Sequence, residues 1–107
     1  MTAHSSIEAS HVAIVTGSNH GIGAAVAERL AADGVAVLVA FLRSAVSTDP
    51  ATPELYHRNR DTDGEEVAAR IRADGGRALA VEADLLDDDA PSMLFDVAER
   101  ELGPVDI

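Results

Sequence analysis

The polarity pattern alternates between two kinds of segment along most of the chain. Val12-Ala13-Ile14-Val15-Thr16 and Val35-Ala36-Val37-Leu38-Val39-Ala40-Phe41 are short apolar runs without polar alternation. That is the pattern of strands covered on both faces of a parallel sheet. A third run spans Ala78 to Ala83 and closes at Asp84. Between the runs the spacing lengthens to that of helices. Ile22, Val26 and Leu30 recur four apart on one helical face, in a helix reaching about Asp33 with Gly34 as its C-cap. Val67 and Ile71 share a face in a second helix, which opens at the capping box Thr62-Asp63-Gly64-Glu65 and stops at Gly75-Gly76. Asp87, Asp88 and Asp89 cap a third helix, with Pro91 in its first turn and Leu94, Val97, Ala98 and Leu102 on its inner face. Gly103-Pro104 breaks it, and Val105-Asp106-Ile107 reads as the opening of a fourth strand.

The order β-α-β-α-β-α-(β) predicts an α/β fold, a Rossmann-like doubly wound parallel sheet that is incomplete as given. The expected strand order is 3-2-1, with strand four beside strand one. Residues 1–10 read as a polar tail and residues 11–107 as the N-terminal half of such a domain. Between Ser44 and Thr62 the pattern dissolves into Ser, Thr, Asp, Pro and Arg, which marks a loop insertion at about 45–61. It reads as a mobile surface loop, with a lid over a bound ligand as the alternative.

Composition narrows the function classes. An apolar fraction of 47% and a mean hydropathy of +0.06 fit a globular chain. The longest apolar stretch, Val35 to Leu42, is too short to span a bilayer. Residues 1–10 have neither a basic start nor an apolar core, so a cytoplasmic location is expected. The absence of cysteine excludes disulfides and thiolate chemistry, and His4, His11, His20 and His57 share no ligand spacing. No metal site is expected. A net charge of −11 argues against nucleic-acid partners, because phosphate backbones would be repelled.

The glycine-rich stretch Thr16-Gly17-Ser18-Asn19-His20-Gly21-Ile22-Gly23 joins the first strand to the first helix. A strand, a tight turn and a helix N-terminus bring free N–H groups and the positive end of a helix dipole to one point, a seat for phosphates. A Walker loop is excluded because the chain contains no lysine. The spacing is G-x-x-x-G-x-G rather than the common G-x-G-x-x-G. A ligand-free strand–helix turn is the plain alternative.

With these residues, Asp84-Leu85 after strand three and Gly103-Pro104-Val105-Asp106-Ile107 before strand four, the chain closely resembles the short-chain dehydrogenase/reductase family over about 12–107. The resemblance implies that Gly17, Ser18, Asn19, His20, Gly21, Ile22 and Gly23 form the dinucleotide turn, the non-glycine residues lining pyrophosphate and adenosine ribose. It implies that Asp84 hydrogen-bonds the adenine amino group, with the Leu85 backbone beside it. Thr16 is expected to brace the turn. At the end of strand two, where NAD-specific domains carry an acid roughly twenty residues past the glycines, the chain reads Ala40-Phe41-Leu42-Arg43-Ser44. Arg43 pairs well with a 2′-phosphate and Ser44 adds a donor, so NADP(H) is favoured over NAD(H). Arg58 and Arg60 are further candidates for phosphate contacts.

Family chemistry is hydride transfer between nicotinamide and a carbonyl or alcohol carbon. The family's Asn-Asn-Ala-Gly segment, active-site Asn and Ser, and Tyr-x-x-x-Lys lie beyond strand four, outside these 107 residues. Tyr56-His57-Arg58-Asn59-Arg60 is no substitute, since arginine keeps its proton and the segment precedes strand three without a helical pattern. No catalytic residue is therefore assigned. The expected function is that of a truncated NAD(P)-dependent short-chain oxidoreductase, inactive alone and acting on a small carbonyl or alcohol substrate only in a complete protein. The alternatives are a non-catalytic dinucleotide-binding module completed by another chain, or an inactive remnant. An uncovered apolar edge and helix face lead to an expectation of self-association or a partly molten state.

Overall fold

The computed structural model describes residues 11–42 and 64–107. The polar tail, Arg43, Ser44, the insertion with Tyr56, Arg58 and Arg60, and the first half of the capping box lie outside the described residues. Within them the chain runs β1 (Val12–Thr16), α1 (Gly21–Ala32), β2 (Ala36–Phe41), α2 (Gly64–Ala73), β3 (Ala78–Glu82) and α3 (Ala90–Glu101). The three strands form one parallel sheet in the order β1-β2-β3, the expected 3-2-1 arrangement. Val12 pairs with Ala36 and Thr16 with Ala40; Val37 pairs with Ala78 and Phe41 with Glu82.

The all-apolar strands follow from coverage on both faces. Ala13, Val37 and Val39 pack under α1 and α2, while Val12, Ala36, Leu38 and Ala40 pack under α3. β2 lies at the middle of the described sheet and every one of its residues is buried. α2 and α3 present the faces their sequence predicts. Val67 and Ile71 are buried, as are Leu94 and Ala98, with Val97 and Leu102 packed beside them.

α1 differs. It buries Ala24, Ala27 and Ala31, whereas Ile22 is 85% and Val26 42% exposed; in the predicted row only Leu30 packs against the core. Methyl side chains let this helix approach the sheet closely, which the bulkier row would prevent. Its end has the expected cap. Gly34 has φ +94°, its N–H donates to Ala31 O, and the Val35 N–H reaches back to Leu30 O, both bonds of a Schellman motif.

The segment after α3 turns toward β1. The N–H groups of Asp106 and Ile107 donate to Val12 O at 3.0 and 3.2 Å, and the Ile14 N–H donates to Ile107 O at 3.1 Å. This segment thus lies along β1 on the side away from β2, where a fourth strand is expected. The Asp106 carboxylate reinforces the junction by accepting from the Val12 N–H at 3.0 Å through Oδ1 and engaging His11 Nδ1 through Oδ2. These contacts hold the Asp106 carboxyl below the usual carboxylate range, the His11 bond contributing most.

Candidate functional site

The carboxyl ends of the three strands converge on one cavity of about 300 Å³. Its walls come from three places: Gly17, Asn19 and His20 in the β1–α1 turn, Ala40, Phe41 and Leu42 at the end of β2, and Ala83 to Leu86 after β3. This is where ligands bind in open parallel sheets, at the strand carboxyl ends beside a switch in topology.

Each motif glycine answers a distinct local demand. Gly17 and Gly21 have φ of +62° and +58°, a region that costs other residues about 1–2 kcal/mol. Gly23 has ordinary φ but no room. A Cβ there would overlap Gly17 O and lie 2.9 Å from Gly17 C and Ser18 Cα. The absence of a side chain lets α1 start directly against the turn.

His20 is the N-cap of α1 in an extended conformation, and its side chain makes no capping hydrogen bond. Its Nδ1 lies 3.2 Å from Asn19 Oδ1 instead. The first turn of α1 contains no acidic residue. The N–H groups of Gly21, Ile22 and Gly23 therefore point out of the helix end with no acceptor among the described residues, while Ala24 N–H is the first to bond back, to His20 O. Such a helix end favours an anion.

Ser18 takes the role expected of Thr16. It is fully buried, its hydroxyl donates to Val15 O at 2.6 Å, and its N–H donates to Ala40 O at 3.3 Å. These bonds pin the turn to β1 and β2 and direct Ser18 away from the cavity. Thr16 is exposed, with no hydrogen bond from its hydroxyl among the described residues. Ile22 is also outside the cavity wall.

Asp84 and Leu85 stand on the cavity wall. Asp84 also organises its own loop. Its Oδ1 accepts from the Leu86 N–H at 3.0 Å and its C=O from the Asp87 N–H at 2.9 Å. Asp87 repeats the device, accepting from the Asp89 N–H at 3.0 Å. Asp89 is the N-cap of α3 but makes no side-chain cap bond, so the aspartates stabilise the approach to α3 rather than capping it. The Ala83 N–H donates to Phe41 O at 2.8 Å and ties the second wall to the third.

The described arginines lie elsewhere. Arg29, Arg70, Arg72 and Arg100 pair with Asp33, Glu28, Glu65 and Glu101, and Arg77 donates to Leu102 O. Among the described residues, positive potential at the cavity thus comes from the helix end. No described group of His, Asp and Glu has the arrangement of a metal site, and no described helix is long and apolar enough to cross a membrane.

Sequence reasoning missed Phe41, Leu42 and Leu86 as wall residues. Their position immediately at or after a strand's carboxyl end was the available signal.

Residues 11–107 match the family model for short chain dehydrogenase. An uncharacterized oxidoreductase from Methylorubrum extorquens is 35% identical over 96 residues, covering 90% of this chain and 32% of that protein. A short chain dehydrogenase from Mycobacterium avium superposes with a TM-score of 0.71 at 31% identity, over 90% of this chain and 30% of the other. A 3-oxoacyl (acyl-carrier-protein) reductase from Agrobacterium tumefaciens C58, solved with NADP bound, gives a TM-score of 0.64 at 34% identity, again over 90% and 30%. The chain spans about a third of the length of the curated relatives it matches.

Proposed function

The chain belongs to the short-chain dehydrogenase family, and we propose that its residues form the cofactor-binding half of an NADP(H)-preferring oxidoreductase. The observation that carries this reading is the β1–α1 turn, where Gly23 brings an uncapped helix end against Gly17 at the mouth of the strand-end cavity. The N–H groups of Gly21, Ile22 and Gly23 receive the pyrophosphate, with Asn19 and His20 beside it. Gly17 and Gly21 shape the turn and Ser18 braces it. The cavity walls at Leu42 and at Asp84 to Leu86 take the adenosine, with the Asp84 carboxylate facing the adenine amino group. Arg43 and Ser44 follow Leu42 in the chain and take the 2′-phosphate; no carboxylate lies at that strand end to repel it. The relative solved with NADP supports the same choice.

When bound, such a cofactor supplies or accepts a hydride at a carbonyl or alcohol carbon. This chain's residues anchor and orient its adenosine and phosphate end. No residue of this chain is assigned to proton transfer or substrate orientation.

Parallel titrations with NADPH and NADH, followed by ligand fluorescence, test the proposal. NADPH should bind more tightly by roughly 10- to 150-fold, the worth of one charge-assisted contact. Arg43→Asp should abolish or reverse that ratio. Equal affinities for the two cofactors, or a ratio unmoved by Arg43→Asp, would refute the cofactor preference.

A further inference from the structure

We infer that Gly64 is a positioning residue for the adenosine end of the groove, acting through the Phe41 ring; the inference rests on the cofactor reading above. Gly64 is the first residue of α2 and is buried. A Cβ there would lie 2.7 Å from Phe41 Cε1 and 2.8 Å from Cγ, and nearer still to Cδ1. The ring is therefore laid directly on the α2 backbone, a contact no other residue type at position 64 allows.

Phe41 in turn controls the groove. It ends β2, is only 7% exposed, and its C=O accepts the Ala83 N–H that joins the β2 and β3 ends. The residues following those two ends, Leu42 and Asp84 to Leu86, are walls of the cavity. A methyl group at position 64 leaves two escapes. Either the ring swings off α2 or the start of α2 lifts away from β2. The first moves a wall residue itself, since the cavity is lined by Phe41, and with it the surface against which adenosine would lie. Gly64 has no left-handed φ, so alanine is conformationally acceptable there and, as the better helix former, would favour α2 if the ring were absent. The effect of the substitution should therefore change sign with the residue at position 41.

The test uses the full chain as wild type, Gly64→Ala, Phe41→Val and the double variant, with NADPH and the nicotinamide-free fragment 2′,5′-ADP as probes. Gly64→Ala alone should weaken both probes equally, by about tenfold, a shift typical of a modest packing conflict. It should also lower Tm relative to wild type. Added to Phe41→Val, the same substitution should leave affinity within about threefold and should not lower Tm. Unchanged affinity in Gly64→Ala, or an equal loss with and without the Phe41 ring, would overturn the inference. Should Gly64→Ala fail to fold, a folded double variant with the affinity of Phe41→Val supports the inference, and an unfolded one overturns it. Wild type that binds neither probe refutes the cofactor reading instead, and the Tm comparison still reports whether Gly64 and Phe41 are coupled.

Discussion

Replacing Gly23 by alanine separates the phosphate turn from a mere strand–helix connection. The added Cβ would overlap Gly17 O and lie 2.9 Å from two further backbone atoms. Carbon contacts relax at about 3.5–4.0 Å, so the start of α1 must retreat by about half an ångström or more. Backbone supplies the clash, so no side-chain rotation relieves it. Overpacking of this kind costs about 1–3 kcal/mol, and alanine's helix propensity returns at most about 1 kcal/mol. The net loss of up to about 2 kcal/mol corresponds to a Tm lower by as much as roughly 15 °C for a domain of this size. Binding should suffer more, because the N–H groups of residues 21–23 move with the helix. One lost charge-assisted hydrogen bond weakens NADPH binding by roughly 10- to 150-fold. Gly17→Ala is the control. A Cβ at Gly17 meets nothing within 4 Å, so the cost there is its φ of +62°, about 1–2 kcal/mol. Circular dichroism melts and calorimetric NADPH titrations should show similar Tm losses for the two variants but a much larger affinity loss for Gly23→Ala. Equal affinity losses, or wild-type binding by Gly23→Ala, would show that close helix approach does not make the site.

Further outcomes follow from the same structure. Ser18→Ala removes the donor to Val15 O, a part-buried bond, and should cost about 0.5–1.5 kcal/mol, seen as a lower midpoint in urea; a change below about 0.5 kcal/mol would deny Ser18 its bracing role. Ala27 is fully buried against the sheet whereas Ile22 is 85% exposed. Ala27→Leu should therefore destabilise by about 1–3 kcal/mol, while Ile22→Ser should stay within about 0.5 kcal/mol; the reverse ranking would restore the Ile22–Val26–Leu30 row as the packed face. The lowered pKa of Asp106, due first to His11 and then to the Val12 N–H, makes its contribution present above the unfolded value of about 3.9 and lost as pH falls through the folded value. Wild type should exceed Asp106→Asn in Tm at neutral pH, the gap closing in acid; a gap that widens below pH ~4 would contradict this sign.

What could be read from the chain reflects how locally each feature is encoded. Strand limits and helix stops were legible because apolar runs and Gly34 or Gly75 act over a few neighbours. The glycine-rich turn was legible for the same reason, since glycine spacing is a statement about local backbone. The inner face of α1 was not, because alanine carries little hydrophobic signal and its burial depends on how closely the sheet approaches. That Ser18 braces the turn in place of Thr16 depended on the turn's curvature, which decides which hydroxyl reaches Val15 O. The His11–Asp106 contact joins residues 95 apart, and the Gly64–Phe41 contact spans two elements. Neither leaves a periodic trace. Arg43 and Ser44 were singled out by electrostatics alone, and they lie outside the described residues.

The most direct test of a dinucleotide seat in this chain is an amide ¹H–¹⁵N titration with NADPH. The account predicts saturable shifts concentrated at Asn19 to Gly23, Leu42 to Ser44 and Asp84 to Leu86, needing roughly 10- to 150-fold more NADPH in Gly23→Ala. A folded chain whose amides do not move, or whose shifts fall at the opposite end of the sheet near Gly34 and Gly76, would contradict it.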